Sequence, residues 1–149
     1  NTIPVNSNSN LTIEAQVQDK YHNSVESDVI VNFTTTLGTI IPIGSTDNNG
    51  FAYSNFSPGV TAGSAQISAV SDSANAITVI NVTSDEVSSL EFAFSGQVDI
   101  QVQGTGGNES FETIVNLYDM NGNLVEDNMT VYFTLLSAPA GVTINNVGT

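Results

Sequence analysis

Val17-Gln-Asp19-Lys-Tyr-His-Asn23-Ser-Val25-Glu-Ser-Asp-Val-Ile-Val31-Asn-Phe33-Thr34 returns one hundred residues later as Leu117-Tyr-Asp119-Met-Asn-Gly-Asn123-Leu-Val125-Glu-Asp-Asn-Met-Thr-Val131-Tyr-Phe133-Thr134. Asp19, Asn23, Val25, Glu26, Val31, Phe33 and Thr34 each meet the same residue at that spacing. Both copies read as apolar strand, polar turn, apolar strand. A repeated unit of this size is the signature of stacked modules. It predicts a first β-sandwich over residues 1–84, then a linker strand and a partial second sandwich over 85–149. Three further strands follow the first copy, up to Val82, whereas the 149-residue sequence ends soon after the second match. The second module is therefore expected to be incomplete, to be finished by more of the same chain or by strands from another. A half-built sandwich would expose strand edges and an apolar face.

Outward from the repeat, alternation dominates and helical periodicity is absent. Leu11 to Val17, Val29 to Thr34, Phe51 to Phe56, Ser64 to Val70 and Ala76 to Val82 each place apolar residues on one face. Asn49-Gly50 suits a tight hairpin turn, and Pro58, Gly59 and Gly63 punctuate the runs. Ser84 to Ser89 reads as a polar connection. Leu90 to Phe94, Val98 to Val102, Phe111 to Leu117 and Met129 to Phe133 continue the pattern, with Val142-Thr-Ile144 as a last apolar fragment. Short strands spaced by about 8–12 residues with turns between them predict an all-β antiparallel sandwich. Its expected core is Ile13, Val17, Val31 and Phe33, and in the second copy Val115, Leu117, Val131 and Phe133.

Composition narrows the function. Hydrophobic residues make up 40% of the chain, enough to pack cores. Fifteen acids face one base, Lys20, for a net charge of −14. Phosphate recognition needs clustered Lys and Arg, so nucleic acid is disfavoured as a partner, as are anionic membrane surfaces. No apolar run is long enough for a membrane-spanning helix, so no membrane insertion is expected. Cysteine is absent, which excludes disulfides and thiolate chemistry. Only 11% of residues are charged, so Ser, Thr, Asn and Gly carry the solubility, as in secreted and cell-surface proteins.

The unit Asp119-Met-Asn-Gly-Asn-Leu-Val125 with Val131-Tyr-Phe133 resembles the bacterial immunoglobulin-like domains of invasin- and intimin-type surface adhesins. Asp19 to Val25 with Val31-Asn-Phe33 carries the same unit. Thr46-Asp-Asn-Asn-Gly50-Phe-Ala52 and Gly59-Val-Thr-Ala-Gly63-Ser-Ala65-Gln-Ile67-Ser-Ala69 look like the family's later hairpin and penultimate strand. His22 departs from the pattern, standing where a turn glycine is expected. The resemblance implies a rod-forming extracellular module, stacked in tandem to present a binding tip.

Chemistry-bearing residues are few. Nucleophilic catalysis needs a base beside its nucleophile, and the one histidine, His22, falls in a turn. Glu26, Asp28, Glu126 and Asp127 are paired acids at repeated turn positions, which suits folding better than glycoside hydrolysis. No enzyme activity is expected. Asp119, Asn121 and Asn123 have the alternate-residue oxygen spacing of a calcium loop, but the twelfth position is Thr130 instead of Glu. The same residues explain themselves as an Asn-Gly turn. Asp85 and Glu86 are a weaker clamp for an ion. Six Asn-x-Ser/Thr sequons stand at Asn10, Asn32, Asn55, Asn81, Asn108 and Asn128, with Pro58 close to the third. Lys20, the sole lysine, invites an intramolecular amide, though it opens a turn instead of lying in a strand. Gly104-Thr-Gly106-Gly107 reads as a flexible loop.

The expectation is a non-catalytic stalk or rod module at the cell surface, with neighbouring modules or copies, and a host receptor, as partners. The alternative is a pilus-like filament subunit whose open second module accepts a strand, Thr2-Ile-Pro-Val5 or Leu11 to Val17, from a neighbour. A carbohydrate- or receptor-binding module would instead use Tyr21, Tyr53, Phe56, Tyr118 or Tyr132 as platforms.

Overall fold

Phe33 and Phe56 lie at the centre of the fold, each almost wholly out of solvent. The computed structural model describes residues 1–8, 10–94, 99–125, 128–137, 140–144 and 147–148, and these contain strands and no helix. Eight strands build the amino-terminal sandwich. They are β1 (Thr2–Pro4), β2 (Leu11–Gln16), β3 (Ile30–Thr35), β4 (Thr39–Ile40), β5 (Ile43–Ser45), β6 (Phe51–Ser57), β7 (Gly63–Ser71) and β8 (Ala74–Thr83). One sheet runs β1-β8-β7-β3-β5 and the other β2-β6-β4. All pairings are antiparallel except β1 with β8.

Alternation selects the faces. In β3, Val31 and Phe33 turn inward while Asn32 and Thr34 face water; in β6, Ala52, Ser54 and Phe56 do the same. With Ile3, Val5, Ile13, Ala65, Ile67, Ile80 and Val82, the apolar ones form one buried cluster drawn from both sheets. Burying each of the large side chains contributes about 1.5–3 kcal/mol, which offsets the cost of ordering the strands. Buried hydroxyls are bonded: Thr46 Oγ1 donates to Glu26 O at 2.6 Å and accepts from Val29 N at 3.0 Å, and Ser54 Oγ donates to Ile41 O at 2.6 Å.

Two short ribbons follow. β9 (Ser89–Phe94) pairs antiparallel with β10 (Thr113–Tyr118), and β11 (Val131–Tyr132) with β12 (Val147–Gly148). β10 and β11 overlap the positions one hundred residues after β2 and β3.

Several expectations change here. Thr2 to Val5 is not a free arm: β1 is seated on β8, and Val5 is fully buried. Leu11 to Gln16 is likewise paired with β6. The run from Val98 to Val102 is not a strand in its described part, residues 99–102. There Gln101 N bonds Asn108 O, closing a loop, and Val102 stays exposed. Val142 to Ile144 is not a strand either. Ile13, Val31 and Phe33 are buried and Val17 packs against them, but Val115, Leu117, Val131 and Phe133 are only half-buried. The reason is coverage: β6, β7 and β8 lie over the first set, while only two-stranded ribbons surround the second. An apolar cleft of about 260 Å3 opens there, lined by Leu90, Phe92, Phe94, Val115, Val131 and Phe133 among others.

Candidate functional site

Asp19, Asp47 and Asp119 open three turns of one design. Aspartate accepts hydrogen bonds from its own backbone a few residues on, which makes it a turn starter. Asp19 Oδ1 accepts from the N–H of Tyr21 and Asn23 at 2.8 and 3.0 Å, and Asp47 Oδ1 from those of Asn49 and Phe51 at 2.8 and 3.0 Å. Asp119 Oδ1 takes those of Asn121 and Asn123 at 2.8 and 2.9 Å. The fourth residue is left-handed in each: His22 at φ 66°, Gly50 at 79° and Gly122 at 80°. Gly50 is also needed sterically, since a Cβ there would lie 2.8 Å from Val17 O.

The Asp119 turn is docked through its side chains. Asn123 Nδ2 donates to Asp119 Oδ2 at 2.8 Å and to Val60 O at 2.8 Å, while its Oδ1 accepts from Ala62 N at 2.9 Å. Asp85 N, in the connection out of β8, donates to Asp119 Oδ2 at 3.2 Å, and Ser88 N donates to Tyr118 O at 2.8 Å. One side chain thus bridges the loop between β6 and β7 to the turn after β10, and the linker is tied to the same carboxylate. Asp119 is only 2% exposed although its counterpart Asp19 is open to water.

Burial acts most strongly on the Asp119 carboxyl and pushes its pKa up. The combined donors outweigh it: the Asn123 side chain, then the N–H groups of Asn123, Asp85 and Asn121, hold it at about 2. The Asn23 N–H, the Asn23 side chain and the Tyr21 N–H likewise lower Asp19.

The residues singled out in the sequence distribute as follows. Asp119, Asn121 and Asn123 come together in this turn, where the Asp119 oxygens and Asn123 Oδ1 accept from N–H donors. Among the described residues no three His, Asp or Glu stand together as a metal site. Asp85 contributes its backbone N–H. His22 lies in an exposed turn, Glu26 and Asp28 are exposed, and Glu126 and Asp127 fall outside the described residues. All six sequon asparagines, Asn10, Asn32, Asn55, Asn81, Asn108 and Asn128, are exposed. Lys20 Nζ sits 4.8 Å from the Tyr21 ring centroid. Of the aromatic platforms, Phe56 is a core residue, a correction that follows from its inward place on β6. Tyr21, Tyr53 and Tyr132 are exposed on separate elements, and Tyr118 is half-buried. Val60 and Ala62 were not foreseen as part of a site. They contribute only backbone groups, which leave no side-chain signal.

No protein-family model and no curated protein matches the chain. Solved structures do resemble it. Invasin, described as a bacterial integrin-binding protein, is 22% identical with a TM-score of 0.57, the match covering 87% of this chain and 28% of that one. InvD of Yersinia pseudotuberculosis is 21% identical at 0.53 over 83% and 40%, and the adhesin InvE of the same organism is 24% identical at 0.51 over 64% and 27%. The chain thus spans between about a quarter and two fifths of those solved chains. At these identities the likeness is one of fold: this chain has the bacterial immunoglobulin-like β-sandwich fold of the invasin-type adhesins.

Proposed function

We propose that the chain is a non-catalytic stalk segment of a cell-surface adhesin, with residues 1–84 as one sandwich and 85–149 contributing to the next. Its mechanism is mechanical. The Asp119 turn locks the joint, so that bending between modules is resisted by hydrogen bonds on both sides of the linker. The observation that carries this is the double bridge from Asn123 to Val60 O and Ala62 N, anchored on a carboxylate that also holds the linker through Asp85. The fold shared with invasin and the Yersinia adhesin InvE supports a place outside the cell, and a tip elsewhere in the full protein would supply receptor binding.

The test is amide exchange in the 149-residue chain. Asn123→Ala should speed exchange of the Ala62 amide roughly fivefold, the worth of about one net hydrogen bond, and leave the core Ile67 amide unchanged. Exchange at Ala62 that ignores the substitution would sink the joint.

The apolar cleft beside β9 and β11 favours a second reading, completion of the carboxy-terminal strands by another chain. The donor segments named for it, Thr2–Val5 and Leu11–Gln16, already pair within their own sandwich, so a different strand would have to enter. Sedimentation separates the readings: a stalk segment stays monomeric and a filament subunit forms large assemblies.

A further inference from the structure

The Asp19 turn repeats the Asp119 turn while leaving its outward groups open. Asn23 Nδ2 sits on the Asp19 carboxylate, 3.1 Å from Oδ2 and 3.4 Å from Oδ1, much as Asn123 sits on Asp119. Asn123 Oδ1, however, takes the Ala62 N–H, whereas Asn23 Oδ1 has no donor among the described residues. Asp119 Oδ2 takes a linker N–H from Asp85, and among the described residues the Asp19 carboxylate takes none from outside its own turn.

The neighbouring strand edges repeat the contrast. β9 covers one edge of β10 over Thr113–Tyr118. Its counterpart β2 stands at the end of the β2-β6-β4 sheet, one edge unpaired among the described residues. The edges correspond. Val17 N bonds Gly50 O on the β6 side, while Tyr118 O, one residue on in the repeat, bonds Ser88 N on the β9 side. Successive backbone groups point to opposite edges of a strand. The β9 side of β10 is therefore the open side of β2.

We propose that the Asp19 turn and the open edge of β2 form a docking end for one kind of partner, an immunoglobulin-like module built as residues 1–94 are. That partner offers a C=O and an N–H two residues apart, as Val60 and Ala62 do, and then a strand of the Ser89–Phe94 pattern. A free second copy of this chain does not qualify, because its Val60 and Ala62 are taken by its own Asn123 and its β9 by its own β10. The inference rests on the stalk reading and extends it to a second joint of the same register.

Two extended chains test it. In the first, residues 85–100 are repeated ahead of Asn1, which preserves the hundred-residue spacing. The Glu14 and Gln16 amides, which point to the open edge, should then exchange more slowly by roughly tenfold, on a net value of about 0.5–1.5 kcal/mol for each backbone bond gained. In the second, residues 1–100 are repeated ahead of Asn1. The Ala62 amide of the added copy should slow roughly fivefold. Asn23→Ala in the original copy should cancel that slowing, whereas Asn123→Ala should not. Unchanged exchange at Glu14 and Gln16 in the first chain overturns the edge. Exchange of the added Ala62 that is indifferent to Asn23→Ala overturns the turn. If Ala62 of the original copy also ignores Asn123→Ala, the stalk reading itself has failed, and the two failures are told apart.

Discussion

Asp19 and Asp119 have the same residue type, the same turn and nearly the same internal hydrogen bonds, yet one is open to water and the other is buried. The difference lies in what stands opposite. Asp119 and Asn123 meet the loop of a sandwich and its outgoing linker, and Asp19 and Asn23 meet solvent. The cores contrast the other way. Phe33 is enclosed by both sheets of the amino-terminal sandwich, while Phe133 is half-buried beside an open cleft. A repeat therefore fixes local geometry, and burial follows from neighbours that the repeat does not contain.

The core pair gives the largest expected effect. Phe33→Ala should cost about 3–5 kcal/mol, as truncation of an enclosed aromatic does, and Phe133→Ala about 1–2 kcal/mol because part of its surface is already wet. Urea unfolding midpoints at constant slope measure both. Equal losses would mean that the carboxy-terminal ribbons close over Phe133 in solution, by self-association or otherwise, and the contrast would dissolve.

The turn pair comes next. Asp119→Ala leaves the N–H groups of Asn121, Asn123 and Asp85 without their acceptor in a place that water reaches poorly. Asp19→Ala leaves its donors to water. The melting temperature should fall by several degrees more for Asp119→Ala. A similar drop for both would show that docking adds nothing to the turn.

Acid should release the docked turn last. Unfolded, the Asp119 carboxyl titrates near 3.8, and folded it titrates at about 2. A lowered folded value means stability that is fully present above 3.8 and is lost as pH falls through about 2. Asp19 is also lowered, but without the Asp85 bond. Carboxyl carbon NMR should therefore place the Asp119 midpoint below that of Asp19, with the Ala62 amide resonance shifting at the Asp119 midpoint. An Asp119 midpoint near 3.8 would contradict the bonded geometry.

Much of the sandwich was legible before its structure. β2, β3, β6, β7 and β8 follow alternating runs closely, because a two-faced strand with one buried face must alternate. β1, β4 and β5 were missed: each is two or three residues long, Pro4 and Pro42 interrupt their surroundings, and only tertiary pairing makes them strands. Val98 to Val102 alternates without becoming a strand in its described part, residues 99–102, where the Gln101 N–H closes a loop on Asn108 O instead of joining a ladder. At the joint, Asp119 and Asn123 were legible as a turn and open to a calcium reading. Their docking was not, because Val60 and Ala62 take part through backbone groups that any residue could offer.

The smallest effect isolates backbone conformation from docking. His22 holds a left-handed angle where Gly122 holds the same one. That angle costs a side-chain-bearing residue about 1–2 kcal/mol, and the extra freedom of glycine in the unfolded chain returns about 0.4–1 kcal/mol of the difference. His22→Gly should thus stabilise by about 0.5–1 kcal/mol, and Gly122→His should destabilise by a like amount. A Cβ at Gly122 would meet nothing within 4 Å, so the second cost arises from the backbone alone. Denaturant midpoints of the two variants should mirror each other. A Gly122→His loss well beyond the mirror value, with faster exchange at Ala62, would mean that the docked turn tolerates only glycine because the sandwich opposite crowds it. Its choice of residue would then belong to the joint instead of the turn.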